Sequence, residues 1–246
     1  MASVAVIIPT TGDALVREAI ASVLAQTAPD VTPFIVVDGP DFMPAFEAAA
    51  AGLDLSRCHV VTLPVNVGAN GFYGHRIYAA FSHLVNTELI AYLDQDNRFH
   101  PEHLARLSAA MAGGKWDWAF ALRRVVTPMG EPLMDDESQS VGPWGSAKPY
   151  PLVDTNCYLL KTDVAHRVAS YFHGGWGQDR VFYAALSQLF PNYGCSGAFT
   201  VDYRTREDLQ PKVVELLTRE NAAMRQKFGG RLPFVGQPTK AVAVAA

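Results

Sequence analysis

The chain has 246 residues, 49% of them hydrophobic, and a net charge of −4 at neutral pH. This length favours one large α/β domain over two small ones, and the mild negative charge argues against a broad basic surface for nucleic acid. Three scattered cysteines without C-x-x-C spacing argue against a disulfide framework or a zinc site. No secretion signal and no apolar run of the ~20 residues that span a bilayer is visible. We therefore expect a cytoplasmic protein without a transmembrane anchor.

Apolar runs and helical patterns alternate through the first half of the chain. Apolar and β-branched runs predict strands, and apolar residues at three- and four-residue spacing predict helices. The predicted strands cover residues 4–8, 33–37, 58–63 and 88–93, and the predicted helices lie near residues 15–24, 41–51, 77–84 and 104–111. This alternation predicts an α/β fold with a mostly parallel sheet flanked by helices. Such sheets bind ligands beyond the carboxyl ends of their strands.

The second half of the chain is less regular. Strands are predicted over residues 116–122, 125–127, 153–160 and 199–203, and a charged helix over residues 212–228. The segment from Leu133 to Pro149 is polar and rich in glycine, proline and acidic residues, which predicts a long loop without regular structure. Within it, we expect the acidic run from Asp135 to Glu137 to be solvated. A glycine-rich loop over residues 173–177 leads into a further helix.

Two carboxylates, Asp94 and Asp96, lie one residue apart just after the fourth predicted strand. Such a pair can share Mg²⁺ or Mn²⁺, which prefer oxygen ligands and often take only one or two protein carboxylates together with substrate phosphates. A solvated turn is the alternative, because Asp and Asn favour turns. The position at a strand end of an α/β pattern favours the metal site.

Two further acidic residues occupy suggestive positions. Asp38 ends the second predicted strand, where it could accept hydrogen bonds from a nucleobase or a ribose, or could simply belong to the turn before Gly39. Asp179 begins a helix after the glycine-rich loop that carries Trp176. It could act as a general base beside an indole that forms an apolar wall for a sugar ring. Alternatively, it is a helix N-terminal acid that the helix dipole stabilises as an anion.

Three arginines are candidates to bind a diphosphate, because a guanidinium pairs well with phosphate oxygens. They are Arg76, Arg204 and Arg206. Each could instead be a surface arginine, so the sequence leaves both interpretations open.

Taken in order, these segments resemble the inverting glycosyltransferases of family 2, which have the GT-A fold. The resembling segments are Val6 to Thr10, Val36 to Gly39, Asn66 to Gly68 followed by His75 and Arg76, Leu93 to Asn97, Asp154 to Cys157, and Gly177 to Asp179. The resemblance implies a GT-A domain over residues 1–209, with a nucleotide-binding half at about 1–98 and an acceptor half at about 99–209. A C-terminal helix and tail, residues 210–246, follow it.

The chain departs from the family pattern at three positions. The second strand end lacks the acidic-serine pattern that usually follows Asp38, and Gln178 replaces the usual glutamate before Asp179. No histidine follows the strand that ends near Tyr203, where some relatives complete the metal site. Arg204 or Arg206 would then meet the diphosphate instead.

The resemblance also implies an activity. A sugar would move from a nucleotide-diphosphate sugar, which we expect to be UDP-linked, to a hydroxyl of a glycan, lipid-linked or small-molecule acceptor. Asp96, with help from Asp94, would bind Mn²⁺ or Mg²⁺, and Asp179 would be the catalytic base. The other substrate-binding residues would be Pro9, Thr10, Asp38, Asn66, Gly68, Arg76, Asp94, Trp176, Arg204 and Arg206.

Two alternatives belong to other functional classes. A nucleotidyltransferase would show a loop rich in glycine and basic residues after the first strand, whereas here the first basic residue is Arg17. A non-catalytic module that binds nucleotides or glycans could keep the same fold. Hydrolysis of a nucleotide sugar would separate an enzyme from such a module.

Overall fold

The apolar runs of the sequence form the strands of a ten-stranded sheet in the computed structural model, which describes residues 2–146 and 151–241. The strands are β1 (Val4–Thr10), β2 (Val31–Val37), β3 (His59–Thr62), β4 (Leu89–Tyr92), β5 (Arg98–Phe99), β6 (Trp118–Val126), β7 (Pro132–Asp135), β8 (Tyr158–Lys161), β9 (Tyr193–Arg204) and β10 (Thr239–Lys240). The helices are α1 (Val16–Leu24), α2 (Met43–Ala50), α3 (His75–Phe81), α4 (His103–Gly114), α5 (Thr162–Val168), α6 (Gln178–Leu189) and α7 (Gln210–Lys227).

The order of the strands places β1 and β4 at the middle of the sheet. The order is β10-β9-β6-β8-β4-β1-β2-β3, with β5 paired to β9 and β7 paired to β6. Strands β4, β1, β2 and β3 are parallel, and β8 runs antiparallel between β4 and β6. Every residue of β1 is buried, as expected of a strand inside a parallel sheet. The structure confirms the predicted α/β fold with a mostly parallel sheet.

Aromatic packing fixes the N-terminal part of α6 against the sheet. The fully buried ring of Phe182 stacks on Phe172 with 3.6 Å between centroids. It also meets Tyr158 of β8 and Tyr92 of β4 edge to face, at 5.3 and 6.2 Å. Tyr92 is the last residue of β4, so the start of α6 is anchored near the carboxyl end of that strand.

Local capping and side-chain pairing explain where the strands depart from the prediction. Residues 155–157 form a 3₁₀ helix, because the Asp154 carboxylate accepts a hydrogen bond from the Asn156 backbone N–H, and β8 starts only at Tyr158. The two strands predicted over residues 116–127 join as the single strand β6. The arginines between them do not interrupt the strand, since each pairs with an aspartate.

The expectation of a long unstructured loop over Leu133 to Pro149 is wrong for the residues that the structure describes. They include β7 and a 3₁₀ helix over Gly142–Trp144. The expectation of a solvated acidic run is also wrong. Asp136 is fully buried, and Glu137 is buried and makes a bidentate pair with Arg225 of α7, at 2.6 and 2.8 Å. Residues 147–150 lie outside the described residues.

The length and composition of the helices bear on whether the described part of the chain could cross a membrane. Over residues 2–146 and 151–241, no helix combines the length and apolar character needed to cross a bilayer. The longest, α7, has 18 residues and carries charged side chains along its length.

Candidate active site

The loops that follow β1 and β4 are tied together by the middle residue of the D-x-D segment. Gln95 Oε1 accepts hydrogen bonds from Thr10 Oγ1 at 2.7 Å and from Thr11 N at 3.0 Å. Pro9 lies against Gly74, where an added Cβ would come within 2.8 Å of Pro9 Cγ. Pro9 and Thr10 therefore lie at the same sheet edge as the two predicted metal ligands.

Asp38 shapes the neighbouring loop. Its buried carboxylate accepts hydrogen bonds from the backbone N–H groups of Val67 and Gly68, at 2.7 and 2.8 Å. A Cβ at residue 68 would lie 2.6 Å from Asp38 Oδ2, so only glycine allows this approach. Asn66, just before, is exposed. A carboxylate oxygen can accept more than one hydrogen bond, so contact of Asp38 with a nucleoside stays a prediction.

Arg76 lies above the same loop. Its guanidinium carbon is 3.3 Å from the centroid of the Phe72 ring, and Nη1 donates a hydrogen bond to the Val67 carbonyl at 3.3 Å. Its Nε is buried and has no partner among the described residues. An unsatisfied buried donor on a cation is a position that an anionic ligand would satisfy.

Asp94 is held by protein donors on both carboxylate oxygens. Tyr78 donates its hydroxyl to Oδ1 at 2.7 Å, and Asn156 Nδ2 donates to Oδ2 at 2.9 Å. The backbone N–H of Asp94 donates in turn to Asn156 Oδ1 at 2.6 Å. Burial, and then the charge of Asp154, raise the pKa of Asp94 above its ordinary value.

Asp96 has a different environment. Over the described residues, no other residue donates a hydrogen bond to its carboxylate, although its backbone carbonyl accepts one from Arg204. Burial is the largest cause that raises the pKa of Asp96, to about 7, and repulsion by Asp94 is the next. This carboxylate is therefore the one that remains open to an external ligand.

A buried ion-pair network lies behind the two carboxylates. Arg123 of β6 donates hydrogen bonds to Asp154 Oδ2 at 2.6 Å and to Asp136 Oδ2 at 2.8 Å. Asp154 Oδ1 also accepts from the backbone and the side-chain amide of Asn156, at 3.0 and 2.7 Å. Buried charges persist only when they are paired and hydrogen-bonded, and this network supplies those partners.

Asp179 lies in the first turn of α6, two residues after the left-handed residue Gly177. Burial, followed by the charge of Asp154, raises its pKa, and these effects outweigh the opposing influence of Arg180. That its helix-terminal position keeps Asp179 ionised stays a prediction. Asp154 is a common cause of the raised pKa of Asp94, Asp96 and Asp179, which indicates that these carboxylates share one electrostatic environment.

The glycine-rich loop before Asp179 contacts the segment that leads into α3. His75 Nδ1 is hydrogen-bonded to the Gly174 carbonyl at 3.1 Å. An added Cβ at Gly175 would lie 3.0 Å from the Gly71 carbonyl oxygen, so the two backbones are close. Trp176 is 83% exposed. The two halves of the predicted site therefore meet.

A family comparison decides the class of this protein. The model of the family described as Glycosyl transferase family 2 matches residues 5–171, about two thirds of the chain. The chain belongs to glycosyl transferase family 2. It is a glycosyltransferase. This assignment decides against the two alternatives considered from the sequence, a nucleotidyltransferase and a non-catalytic binding module. A comparison with curated protein sequences finds no match.

Solved structures of TarS from S. aureus are similar to this glycosyltransferase in fold. For TarS 1–349 in complex with UDP, the TM-score is 0.61 at 15% identity, covering 91% of this chain and 69% of that one. For the complex with UDP-GlcNAc, the TM-score is 0.63 at 16% identity, covering 83% of this chain and 59% of that one. The longer TarS structure is covered over only 42% of its length. The likeness confirms the GT-A fold.

The two arginines near the end of β9 differ in their surroundings within the glycosyltransferase. All three guanidinium nitrogens of Arg204 are engaged: Nε with the Asp96 carbonyl at 2.9 Å, Nη1 with the Pro128 carbonyl at 2.6 Å and Nη2 with Glu18 at 2.7 Å. This buried arginine fastens the D-x-D loop, which argues against the predicted diphosphate contact. Arg206 is exposed and pairs with Asp208. Whether it reaches a diphosphate stays a prediction.

Sequence reasoning missed two residues of the glycosyltransferase site and gave a third only a general role. The sequence does not single out Tyr78 or Arg123, and it shows Asn156 only as part of a segment that resembles the family. Tyr78 gave no signal, because an apolar helix face accounts for it. Arg123 interrupts an otherwise apolar strand pattern, and that interruption was the available signal for a buried charge.

Proposed function

We propose that this glycosyltransferase moves a sugar from a UDP-linked donor to an acceptor hydroxyl, with inversion at the anomeric carbon and with the aid of Mg²⁺ or Mn²⁺. The observation that carries the proposal is the group of carboxylates Asp94, Asp96, Asp154 and Asp179 at the carboxyl end of the parallel strands. These partly buried carboxylates suit a site that binds a cation and accepts a proton. The TarS structures contain UDP and UDP-GlcNAc, which supports the choice of donor.

The oxygen atoms that the site offers as ligands fit a hard divalent cation. Over the described residues, no group of three or more His, Cys, Asp or Glu side chains is arranged to hold a metal ion. The protein would thus supply Asp96, with Asp94 beside it, and the donor phosphates and water would supply the other ligands, as Mg²⁺ often accepts. Such an ion would neutralise the charge that develops on the diphosphate leaving group. It would also relieve the repulsion between Asp96 and Asp94.

The loops after β1 and β2 would bind the nucleotide. Asp38 and Thr10 lie at adjacent strand ends, where α/β sheets bind ligands. Asp38 would face the nucleoside, while Asn66 and Gly68 would line the same loop. Arg76 would direct its unpaired Nε toward the anionic part of the donor.

Asp179 would remove the proton from the acceptor hydroxyl. The hydroxyl oxygen attacks the anomeric carbon, the bond from that carbon to the phosphate oxygen breaks, and the nucleoside diphosphate leaves with the electron pair. The proton passes to the Asp179 carboxylate. A base whose pKa is raised is better matched to this task near neutral pH than an ordinary aspartate. Attack on the face opposite the diphosphate inverts the configuration.

A ligand panel tests the proposal. Thermal shifts with UDP-, GDP- and TDP-sugars, each with and without Mn²⁺, should show stabilisation by a UDP-sugar that needs the metal. A ligand at 100 times its dissociation constant adds about 2.7 kcal/mol to the free energy of unfolding. NMR of the transfer product would then report the anomeric configuration. Equal shifts with and without metal, or a retained anomeric centre, would contradict the corresponding part of the proposal.

A further inference from the structure

Helix α7 is attached to the acidic segment 135–137 by four hydrogen bonds, which together form the α7 contact. Arg225 donates from Nε and Nη2 to the two carboxylate oxygens of Glu137, at 2.6 and 2.8 Å. Asn221 accepts the Glu137 backbone N–H at 3.1 Å and donates from Nδ2 to the Asp135 carbonyl at 2.8 Å. The residues before and after Asp136 are therefore both held by the same helix.

Asp136 extends this attachment to the carboxylate site. Its side chain is fully buried, and Oδ2 accepts hydrogen bonds from Arg123 Nε at 2.8 Å and from the Ser140 backbone N–H at 3.1 Å. Both of these residues also contact Asp154. Arg123 Nη1 donates to its carboxylate at 2.6 Å, and Ser140 Oγ accepts its backbone N–H at 2.8 Å. Asp136 is therefore linked through one residue to the side chain of Asp154 and through another to its backbone.

The shared guanidinium of Arg123 connects the geometry of this network to the electrostatics of the site. A buried cation needs its anionic partners, so Arg123 follows the positions of Asp136 and Asp154. Burial and then the charge of Asp154 raise the pKa of Asp179, and Arg123 opposes them. A shift of Arg123 relative to Asp154 would therefore change the surroundings of the proposed base.

The C-terminal part of the chain also supports the residues just beyond Ser140. The ring of Trp144, in the 3₁₀ helix that follows, stacks on the ring of Phe234 with 5.2 Å between centroids, and both side chains are buried. Strand β10 then pairs with β9. The family match ends at residue 171, so α7 and Phe234 support the site from outside the matched region.

We infer that the α7 contact positions the active-site carboxylates, with Arg225 and Glu137 as its positioning residues. It holds Asp136 in the place from which this aspartate directs Arg123 onto Asp154. The inference rests on the proposed function, in which Asp154 is one of the carboxylates of the site. Loss of the contact would lower the fraction of molecules in which Arg123 is seated on Asp154, and turnover would fall with it.

Donor binding should respond less than turnover to loss of the α7 contact. Thr10 bonds to Gln95, and Asp38 bonds to the backbone of Val67 and Gly68. The proposed donor-binding loops are thus held by hydrogen bonds of their own. A loss of kcat that exceeds the change in donor KM therefore distinguishes positioning of the carboxylates from a general loosening of the site.

Steady-state kinetics test the role in turnover. Arg225→Ala and Glu137→Gln should each lower kcat about 2- to 30-fold, the rate equivalent of the roughly 0.5–2 kcal/mol by which residues of such networks modulate coupling. Donor KM should change less than about twofold. The double variant should lose no more than the larger single loss, because both substitutions remove the same ion pair. Arg219→Ala is the matched control, since this exposed arginine of α7 pairs with its neighbour Glu220.

NMR of the arginine side chains tests the positioning apart from activity. The Nε–H of Arg123, bonded to Asp136 in the buried network, should exchange with solvent at least about tenfold faster in Arg225→Ala than in wild type. Arg225→Lys keeps the charge and should recover part of both the protection and kcat. The Arg225 side chain is 62% exposed, and ion pairs at the surface add little stability. The variants should therefore keep the wild-type denaturation midpoint.

Three results would overturn the inference: wild-type kcat in both single variants, additive losses in the double variant, or an unchanged exchange rate of the Arg123 Nε–H. A fall in kcat that only follows a fall in the denaturation midpoint would also contradict it. If Arg225→Ala does not fold, Arg225→Lys and Glu137→Gln supply the same comparisons. Failure of wild type to use any nucleotide sugar would instead refute the proposed function, and the exchange rates would still decide whether the α7 contact holds Arg123.

Discussion

Asn156 holds Asp94 with both ends of its side-chain amide. Its Oδ1 accepts the Asp94 backbone N–H at 2.6 Å, and its Nδ2 donates to Asp94 Oδ2 at 2.9 Å. The same Nδ2 donates to Asp154 Oδ1 at 2.7 Å. One buried amide therefore bridges two carboxylates that repel each other, and it fixes the first aspartate of the D-x-D segment.

Replacement of this amide tests its positioning role. Asn156→Asp keeps the shape but exchanges the shared donor for a third negative charge. We expect the free energy of unfolding at neutral pH to fall by about 1–3 kcal/mol, and donor affinity in Mn²⁺ to fall at least about tenfold. Chemical denaturation and titration calorimetry measure the two effects. Asn86→Asp, at an exposed asparagine, should change neither, and wild-type values for Asn156→Asp would refute the role.

Arg204 and Arg206 form a matched pair for a stability test. Arg204→Met removes the contacts with the Asp96 carbonyl and Glu18 and should cost about 1–3 kcal/mol of unfolding free energy. Arg206→Ala removes an exposed pair with Asp208, and exposed pairs contribute about 0–1 kcal/mol. Denaturant titration measures both variants. Equal stability of the two would show that Arg204 does not fasten the D-x-D loop.

The fold was predictable because its signals are local. The uninterrupted apolar run of β1 predicts a buried strand, and strand–helix alternation predicts a parallel sheet. Because the carboxyl ends of parallel strands lie at the same edge of a sheet, Asp38, Asp94 and Asp96 are predicted to lie together at that edge. Each of these inferences needs only neighbouring residues and a general rule of topology.

The partners of the site residues were not predictable, because they are distant in sequence. Asn156 and Asp94 are 62 positions apart, and Arg204 bonds to Asp96 across 108. From the sequence, Asp136 is predicted to be a solvated acid, whereas in the fold β6 places Arg123 beside it. Pairing of this kind depends on tertiary packing, so composition and periodicity do not reveal it.

Buried His103 should make the fold sensitive to acid. Burial, followed by the charge of His100, lowers the pKa of His103 to about 3 from an ordinary value of 6.5. Below pH 6.5 the unfolded chain takes up a proton that the native state refuses, so this residue's contribution to stability is lost as the pH falls toward 3. The loss is up to about 1.4 kcal/mol per pH unit.

The comparison of wild type with His103→Leu isolates this effect. Asp96 acts in the opposite direction, because a raised pKa lets the native state bind a proton between about pH 7 and 3.8. The change of wild-type stability with pH therefore contains contributions from both His103 and Asp96. The stability difference between wild type and variant should shrink as the pH falls from 6.5 to 4, measured by denaturation at each pH. A difference independent of pH would refute the assignment.

Asp96 should carry the metal dependence of donor binding. Asp96→Ala removes the carboxylate that no other described residue engages through a hydrogen bond, and calorimetry should then show that Mn²⁺ no longer strengthens binding of the nucleotide sugar. Asp163→Ala, at an exposed acid of α5, is the control. Donor affinity that still rises with Mn²⁺ in Asp96→Ala would place the ion elsewhere.

Asp179 should act as the general base. Asp179→Asn keeps the shape and removes the basicity, so turnover should fall by about 10²- to 10⁴-fold while donor affinity is nearly unchanged. Wild-type turnover would assign the role to another residue, with Asp154 the next candidate. Loss of donor binding or of folding would favour a structural role for the carboxylate.

The acid limb of the pH profile gives a signature that a structural role would not produce. Because burial and the charge of Asp154 raise the pKa of Asp179 above 3.8, activity should fall as the pH drops through this raised value, where the base becomes protonated. Asp154→Asn removes one cause of the raised pKa, so the acid limb should move to lower pH. Arg180→Gln removes the guanidinium that opposes it, so the limb should move to higher pH. If the acid limb of the kcat/KM profile moves in these opposite directions in the two variants, the titrating group is Asp179. Two profiles with unshifted acid limbs would exclude it.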